Sequence, residues 1–299
     1  MASWKTTIAL GLIAAGGILP LTAQERDASE AVQQAAARTG PVFRVPVTGM
    51  IELGLAPFVE RSIREAEAAG ASVLILDIDT PGGRVDAAER ITNAVSDANV
   101  PVYALVNRHA YSAGAMIALS ARGIYMRPGS VIGAAAPVGG DGSMAPEKIV
   151  SAMRSAMRSL AEARGLDPQV AEAMVDQDIE IPGVIEEGKL LTLTTEEAVA
   201  LGYAQEITDW VALMTELGTT GLPLNDMGVN WAERLVRFFS NPIVAPFLLS
   251  LGFLGLLVEI KTPGFGIAGA AGILSLSLFF GSHLIIGLAG MEALLIFAA

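Results

Sequence analysis

From residue 42 to residue 208, short apolar runs alternate with segments in which apolar residues recur every three or four positions. The run VLILDI over 73–78 is typical of a parallel strand that is covered on both faces. Leu55, Val59 and Ile63 recur at helical spacing. The same criteria predict strands over 42–51, 73–78, 100–106, 124–126, 131–134 and 204–208, and helices over 55–69, 86–98, 112–122, 146–164 and 194–202. Because strands and helices alternate, we predict an α/β fold class with right-handed crossovers.

The helix predicted over 146–164 has its apolar residues on one stripe, formed by Ile149, Met153, Met157 and Leu160. Methionine fills irregular gaps between packed elements. We therefore expect this stripe to face the core of the domain.

The first 40 residues differ from this pattern. Lys5 precedes the apolar run IALGLIAAGGILPL, and small Ala23 precedes a polar segment, which is the anatomy of a secretory signal. We predict a signal peptide over 1–23 and a flexible, alanine-rich leader over 24–40. The signal is either cleaved after Ala23 or kept as a membrane anchor.

Apolar segments dominate the other end of the chain. The runs over 243–260 and 264–290 are each long enough to span a bilayer, and 291–299 starts like a third span. We therefore predict a linker over 216–241 and a membrane domain over 242–299, and the abrupt end indicates a fragment of a longer sequence. Combined with the export signal, this predicts that the α/β domain lies outside the cytoplasm and that the short loop with Lys261 faces it.

Composition excludes several classes of chemistry. The chain is 52% hydrophobic and has a mean hydropathy of +0.52. Its net charge is -12, and because an acidic chain binds phosphate poorly, nucleic acid is not an expected partner. It has no cysteine, which excludes disulfides, thiolate metal sites and cysteine nucleophiles. Its only histidines are His109 and His283, and His283 lies inside an apolar run, which excludes a two- or three-histidine metal centre. Serine chemistry remains.

Three stretches carry candidate chemistry: DTPGGRVDAAERI, RHAYSAGAMIALSA and GDGSMAPEKIVSAM. In the first, Gly83 follows a buried strand and leaves its backbone N–H open to a ligand. In the second, Ser112 lies between a strand and a helix, where the helix dipole favours negative charge. The N–H groups of Gly83 and Ala113 are therefore a candidate oxyanion hole beside the Ser112 hydroxyl.

A serine nucleophile needs a base, and two residue types are available. His109 precedes Ser112 by only three residues, so its ring would have to fold back to reach the hydroxyl. Of the four lysines, one lies in the signal and one in a membrane loop, which leaves Lys148 and Lys189. Carboxylates beside Lys189 would keep it charged. The first-turn position of Lys148, with Met144 and Ile149 nearby, favours a lowered pKa. Taken alone, however, a lysine at this position is better explained as a solvated helix residue.

These stretches together resemble a known family. The ordered set TPGG, YSAGAMIA and PEK is similar to the membrane-bound ClpP-class serine proteases of the NfeD family, relatives of signal peptide peptidase A. The resemblance implies a ClpP/crotonase-like protease domain, predicted over 41–215, with Ser112 as nucleophile, Lys148 as base and Gly83 with Ala113 as oxyanion donors. The histidine of a Ser-His-Asp triad has no counterpart between His109 and His283. Many family members continue into a C-terminal β-barrel, and this sequence ends before one.

The function implied is a membrane-anchored serine endopeptidase that needs no metal or organic cofactor. The apolar residues around 134–138 favour hydrophobic peptide segments as substrates. The resemblance further implies a stomatin-like membrane protein as partner and substrate, and self-assembly into a homo-oligomer. Two alternatives stay open: a catalytically silent scaffold that binds a stomatin-like partner, and a crotonase-type acyl-CoA enzyme. The glycine-rich VGGDGS segment before Lys148 indicates a base that is placed only when substrate or a neighbour arrives.

Overall fold

A computed structural model describes residues 39–139, 142–241, 243–262 and 266–285. The predicted signal peptide, nearly all of the predicted leader, the predicted start of a third span over 291–299 and the centre of the VGGDGS segment lie outside the described residues.

The described chain begins with alternating strands and helices and ends with three helices. The strands are β1 (Val42–Thr48), β2 (Val73–Thr80), β3 (Val102–Tyr111), β4 (Ile124–Met126), β5 (Val131–Gly133), β6 (Thr192–Thr194), β7 (Gln205–Glu206) and β8 (Leu224–Asp226). The helices are α1 (Leu55–Ala68), α2 (Val85–Ser96), α3 (Ala113–Ser120), α4 (Glu147–Ala163), α5 (Pro168–Ala173), α6 (Thr195–Ala200), α7 (Trp210–Glu216), α8 (Trp231–Phe239), α9 (Val244–Lys261) and α10 (Ile267–Ile285).

The strands form one mixed sheet in the order β6-β5-β3-β2-β1-β8, and β4 joins β3 to β7. Every pair is parallel except β5 with β6. Strand β3 is long enough to pair with β4 along its first half and with β5 along its last residues. The predicted α/β fold class is confirmed, and the carboxyl ends of β2 and β3 lie side by side, which is where open parallel sheets place their sites.

The core lies between the sheet and its helices. Strand β2 is buried along almost its whole length, as its apolar run predicts. In α4, Met153 and Met157 are buried as expected, but Ile149 is 45% exposed, so its place in the predicted stripe is wrong. Val150 faces the core instead, because it lies three residues before Met153 on the same face of the helix.

The last three helices follow the α/β domain. The stretch 216–241, predicted as a linker, contains β8, which pairs with β1, and the nine-residue helix α8. Two segments, Val244–Lys261 and Ile267–Leu284, are long and apolar enough to cross a membrane. Only 11% and 28% of these segments is buried, so they differ from the core helices of a soluble protein.

Small residues hold α9 and α10 together. A Cβ on Gly255 would lie 2.6 Å from the Ala268 carbonyl oxygen and 2.8 Å from the Cα of Gly272. Small residues of this kind let two helix backbones approach closely in a membrane. The Glu259 carboxylate also accepts a hydrogen bond from the Gly269 N–H at 2.9 Å, so the end of α9 caps the start of α10.

Candidate active site

Ser112 lies in a strained turn between β3 and α3. Its φ is 53° and its ψ is -119°, a conformation that non-glycine residues rarely adopt. Such a conformation costs about 1–3 kcal/mol and is concentrated at functional sites. The Ser112 N–H donates a 2.8 Å hydrogen bond to the Gly133 carbonyl of β5, which holds the turn. The half-buried side chain therefore projects from the end of β3 at the N-terminus of α3.

Glycine and threonine allow the end of β2 to approach this turn. Gly82 has a φ of 100°, and a Cβ there would lie 2.6 Å from the Ser112 Cβ and 3.2 Å from its Oγ. The buried Thr80 hydroxyl donates to the Gly49 carbonyl at 2.6 Å and accepts from the Gly82 N–H at 3.0 Å. A Cβ on Gly114 of α3 would meet the Thr80 methyl at 2.4 Å. These contacts fix the turn after β2 directly against the serine.

The two predicted oxyanion donors, the N–H groups of Gly83 and Ala113, lie in these same two turns. Ile51 forms a parallel bridge with Gly83 in which Ile51 bonds to the Gly82 carbonyl and the Arg84 N–H, both at 2.8 Å. This bridge does not use the Gly83 N–H, and the Ala113 N–H begins α3. Neither N–H donates a hydrogen bond to another described residue. Both are therefore available to an oxyanion that forms beside Ser112.

The guanidinium of Arg84, the residue after Gly83, is paired with a carboxylate. Arg84 donates to both carboxylate oxygens of Asp86, at 2.9 Å and 2.6 Å. These hydrogen bonds hold the pKa of Asp86 below its ordinary value, against the opposing effect of burial. The Arg84 charge is thereby balanced at the start of α2 rather than directed at Ser112.

Lys148 lies in the first turn of α4, as predicted, and its side chain is exposed. Neither its Nζ nor the Ser112 Oγ forms a hydrogen bond with another described residue, so the structure does not join nucleophile and base. The expectation that Met144 and Ile149 desolvate the amine is wrong, because their side chains are 56% and 45% exposed. Val138 and Met144, which form an antiparallel bridge before α4, are both exposed.

The other base candidates have partners of their own. His109 Nδ1 lies 3.0 Å from an Asp79 oxygen, and its ring stacks on Tyr111 with centroids 5.3 Å apart. Lys189 pairs with Glu186 at 2.7 Å. Neither contacts the Ser112 hydroxyl.

Sequence reasoning missed Thr80 and the loop over 49–54 as parts of this site. The loop lies between β1 and α1, and its Ile51 precedes Gly83, with which it bridges, by 32 positions. Only the threonine directly before PGG offered a signal, since a small hydroxyl side chain at a strand end commonly bonds to nearby backbone.

Comparisons with known proteins find similar sequences over most of the chain. Residues 41–225 match a family model described as "NfeD1b, N-terminal domain", and residues 243–299 match "NfeD integral membrane domain". Membrane protein NfeD1b of Bacillus subtilis is 42% identical over 260 residues, covering 86% of this chain and 60% of that protein. Membrane-bound protease PH1510 of Pyrococcus horikoshii is 29% identical over 262 residues, covering 79% of this chain and 57% of that protein. The chain thus spans about three fifths of the length of these curated relatives.

Solved structures show the same fold. A lysine-to-alanine variant of the 1510-N membrane-bound stomatin-specific protease, in complex with a substrate peptide, matches with a TM-score of 0.59 and 26% identity. The match covers 68% of this chain and 99% of that one. A serine-to-alanine variant of the same protease matches with a TM-score of 0.57 and 27% identity, covering 64% of this chain and 99% of that one.

Proposed function

The chain belongs to the NfeD family, and from that premise we propose that it is a membrane-anchored serine endopeptidase with Ser112 as nucleophile and Lys148 as general base. The observation that carries the proposal is the strained turn at Ser112, held against Gly82 and flanked by the unused N–H groups of Gly83 and Ala113. A strained serine between two free backbone donors suits acyl transfer. The resemblance to proteases studied as serine and lysine variants supports the same pair of roles.

In the proposed acylation, the neutral Lys148 amine accepts the hydroxyl proton while Ser112 Oγ bonds to the substrate carbonyl carbon. The carbonyl oxygen becomes negative and accepts hydrogen bonds from Gly83 and Ala113. When the C–N bond breaks, the protonated Lys148 returns its proton to the leaving amine. Water then attacks the acyl ester and gives a proton to Lys148, and Ser112 Oγ regains that proton as the product acid leaves.

The proposal requires α4 and its preceding hairpin to rearrange around a bound peptide. Among the described residues of the hairpin, the Ala145 N–H donates to the Pro137 carbonyl at 3.0 Å and the Gly139 N–H donates to the Ser143 carbonyl at 2.7 Å. Its exposed Val138 and Met144, with Ile149, are apolar contacts that a hydrophobic peptide would cover. Burying these side chains would also desolvate Lys148 and favour its neutral form.

We further propose a stomatin-like membrane protein as substrate and partner, because the similar solved protease is described as stomatin-specific. The chain itself is a membrane protein. From the predicted export signal we propose that its α/β domain lies on the extracytoplasmic side. Self-association into a homo-oligomer is part of the same proposal and rests on the family resemblance.

Cleavage of an apolar fluorogenic peptide by the purified full chain tests the function. Ser112→Ala and Lys148→Ala should each abolish turnover. Lys189→Ala, which removes the other lysine of the α/β domain, should leave turnover unchanged. Normal turnover by either of the first two variants contradicts the dyad.

A catalytically silent scaffold that binds a stomatin-like partner is the second candidate. The exposure of Lys148 and its lack of a described partner favour it, since an inactive site needs no assembled base. An activated hydroxyl reacts with fluorophosphonates, whereas a scaffold does not. A wild-type chain that binds partner but neither cleaves peptide nor is labelled would establish the scaffold.

A further inference from the structure

We propose that Glu52 is a positioning residue that fixes the oxyanion donor Gly83 through contacts with the helix next to the membrane, α8. The inference rests on the proposed peptidase function. It adds that the catalytic geometry depends on the C-terminal end of α8, which leads directly into the membrane helix α9.

The Glu52 carboxylate is buried, with only 3% of its side chain exposed. Arg237 of α8 donates to one oxygen at 2.6 Å. The hydroxyl of Ser240, the residue directly after α8, donates to the other oxygen at 3.0 Å. The Gly54 N–H donates to that same oxygen at 2.6 Å. Burying a carboxylate is costly unless it is paired and hydrogen-bonded, so these three donors determine where Glu52 can lie.

The backbone next to Glu52 contacts the oxyanion turn. The Ile51 carbonyl accepts a hydrogen bond from the Arg84 N–H, and the Ile51 N–H donates to the Gly82 carbonyl. Ile51 therefore holds the backbone on both sides of Gly83. A Cβ on Gly83 would lie only 2.1 Å from the Ile51 carbonyl oxygen, which shows how closely the two backbones approach. Any displacement of Glu52 is therefore transmitted through one peptide unit to the N–H of Gly83.

The packing of α8 on this loop is equally close. A Cβ on Gly54 would lie 3.1 Å from the Arg237 Cα and 3.0 Å from its Cγ. Ser240 precedes Val244, the first residue of α9, by four positions. The contact chain thus runs from the membrane anchor through Arg237 and Ser240 to Glu52, and from there to Gly83.

A second ion pair provides a matched control. Arg61 of α1 donates to both oxygens of Glu233, at 2.6 Å and 2.9 Å, and so joins the other end of α8 to the same domain. In the described part of the chain, none of the hydrogen bonds of Arg61 goes to the loop over 49–54. Its loss should remove one contact of α8 while leaving the hydrogen bonds of Glu52 in place.

The experiment compares Arg237→Gln with Arg61→Gln in the purified full chain, using an apolar fluorogenic peptide. The turnover number is expressed per Ser112 that a fluorophosphonate labels at completion, which removes any loss of folded protein from the comparison. Full loss of one oxyanion donor costs about 10²- to 10³-fold, so we expect its displacement in Arg237→Gln to lower kcat at least about tenfold. KM should change little, because the oxyanion contact strengthens in the transition state.

Arg61→Gln should keep kcat within about twofold of wild type, because none of the hydrogen bonds that it removes involves Ile51, Glu52 or the oxyanion turn. Combining Glu52→Gln with Arg237→Gln should lower kcat no more than the worse single variant, because both act through one contact. Equal kcat values in Arg237→Gln and wild type would overturn the positioning role. Failure of the wild-type chain to cleave or be labelled would instead refute the proposed function, so the two failures are distinguishable.

Discussion

Replacing Gly82 by alanine tests whether close approach of the two turns sets the position of the nucleophile. The new Cβ would lie 2.6 Å from the Ser112 Cβ and 3.1 Å from the Tyr111 carbonyl oxygen. Real Cβ atoms do not come that close, so one of the two turns must move. Gly82 also has a φ of 100°, and holding alanine in such a region costs about 1–3 kcal/mol.

Gly129 is the matched control, because its φ is 78° and a Cβ there meets nothing within 4 Å. For a domain of this size, 1 kcal/mol shifts Tm by about 2–4 °C, so both variants should show a measurable fall in thermal unfolding. A misplacement of about 1 Å can reduce catalysis about 10²-fold, and we expect that loss in kcat/KM for Gly82→Ala alone. If Gly82→Ala hydrolyses peptide as well as Gly129→Ala, the serine does not depend on this contact.

Two further predictions concern α8 and the membrane helices. Burial is the largest single effect on Glu233 and opposes its ionisation, but the hydrogen bonds from Arg61 and the Asn230 N–H, together with the charges of Arg61 and Arg237, outweigh it and lower the pKa of Glu233. A lowered carboxyl pKa stabilises the fold above the unfolded value of about 4.3, and this contribution is lost as pH falls through the lower folded value. Glu233→Gln should therefore reduce the acid-induced fall in Tm measured between neutral and strongly acidic pH, and an unchanged acid profile would contradict the assignment. In the membrane domain, Gly255→Val should separate α9 from α10 because its side chain would meet the backbone near Gly272, whereas Gly281→Ala enters open space. Loss of helix proximity in spin-label distance measurements on Gly255→Val, with Gly281→Ala unchanged, is the expected result, and retained proximity would refute the packing.

The sequence pattern predicts the strands and helices near the site well. The apolar run of β2 and the alternation that follows it have direct physical causes, since a parallel strand is buried on both faces. The pattern predicts Ser112 between a strand and a helix, but it includes Ser112 as the first residue of that helix, over 112–122. The structure instead begins α3 at Ala113, because the serine adopts a positive φ that no helix allows.

Long-range contacts account for what the sequence did not predict. The bonds of Glu52 to Arg237 and Ser240 join residues 185 and 188 positions apart, and no local pattern announces them. Helix α8 falls in the segment predicted as a linker, and Val236 is its one buried residue, so it buries little of the apolar stripe that marks a core helix. The exposure of Ile149 reflects which face of α4 packs on the core, since Val150, three residues before Met153, is buried in its place.

The central claim is that Lys148 activates Ser112. Incubating the full chain with a fluorophosphonate and mapping the adduct by peptide mass spectrometry measures this most directly. A single adduct on Ser112, formed at a rate that rises with deprotonation of one group and is lost in Lys148→Ala, is the predicted result. An adduct that forms equally fast in Lys148→Ala, or on a residue other than Ser112, would contradict the account.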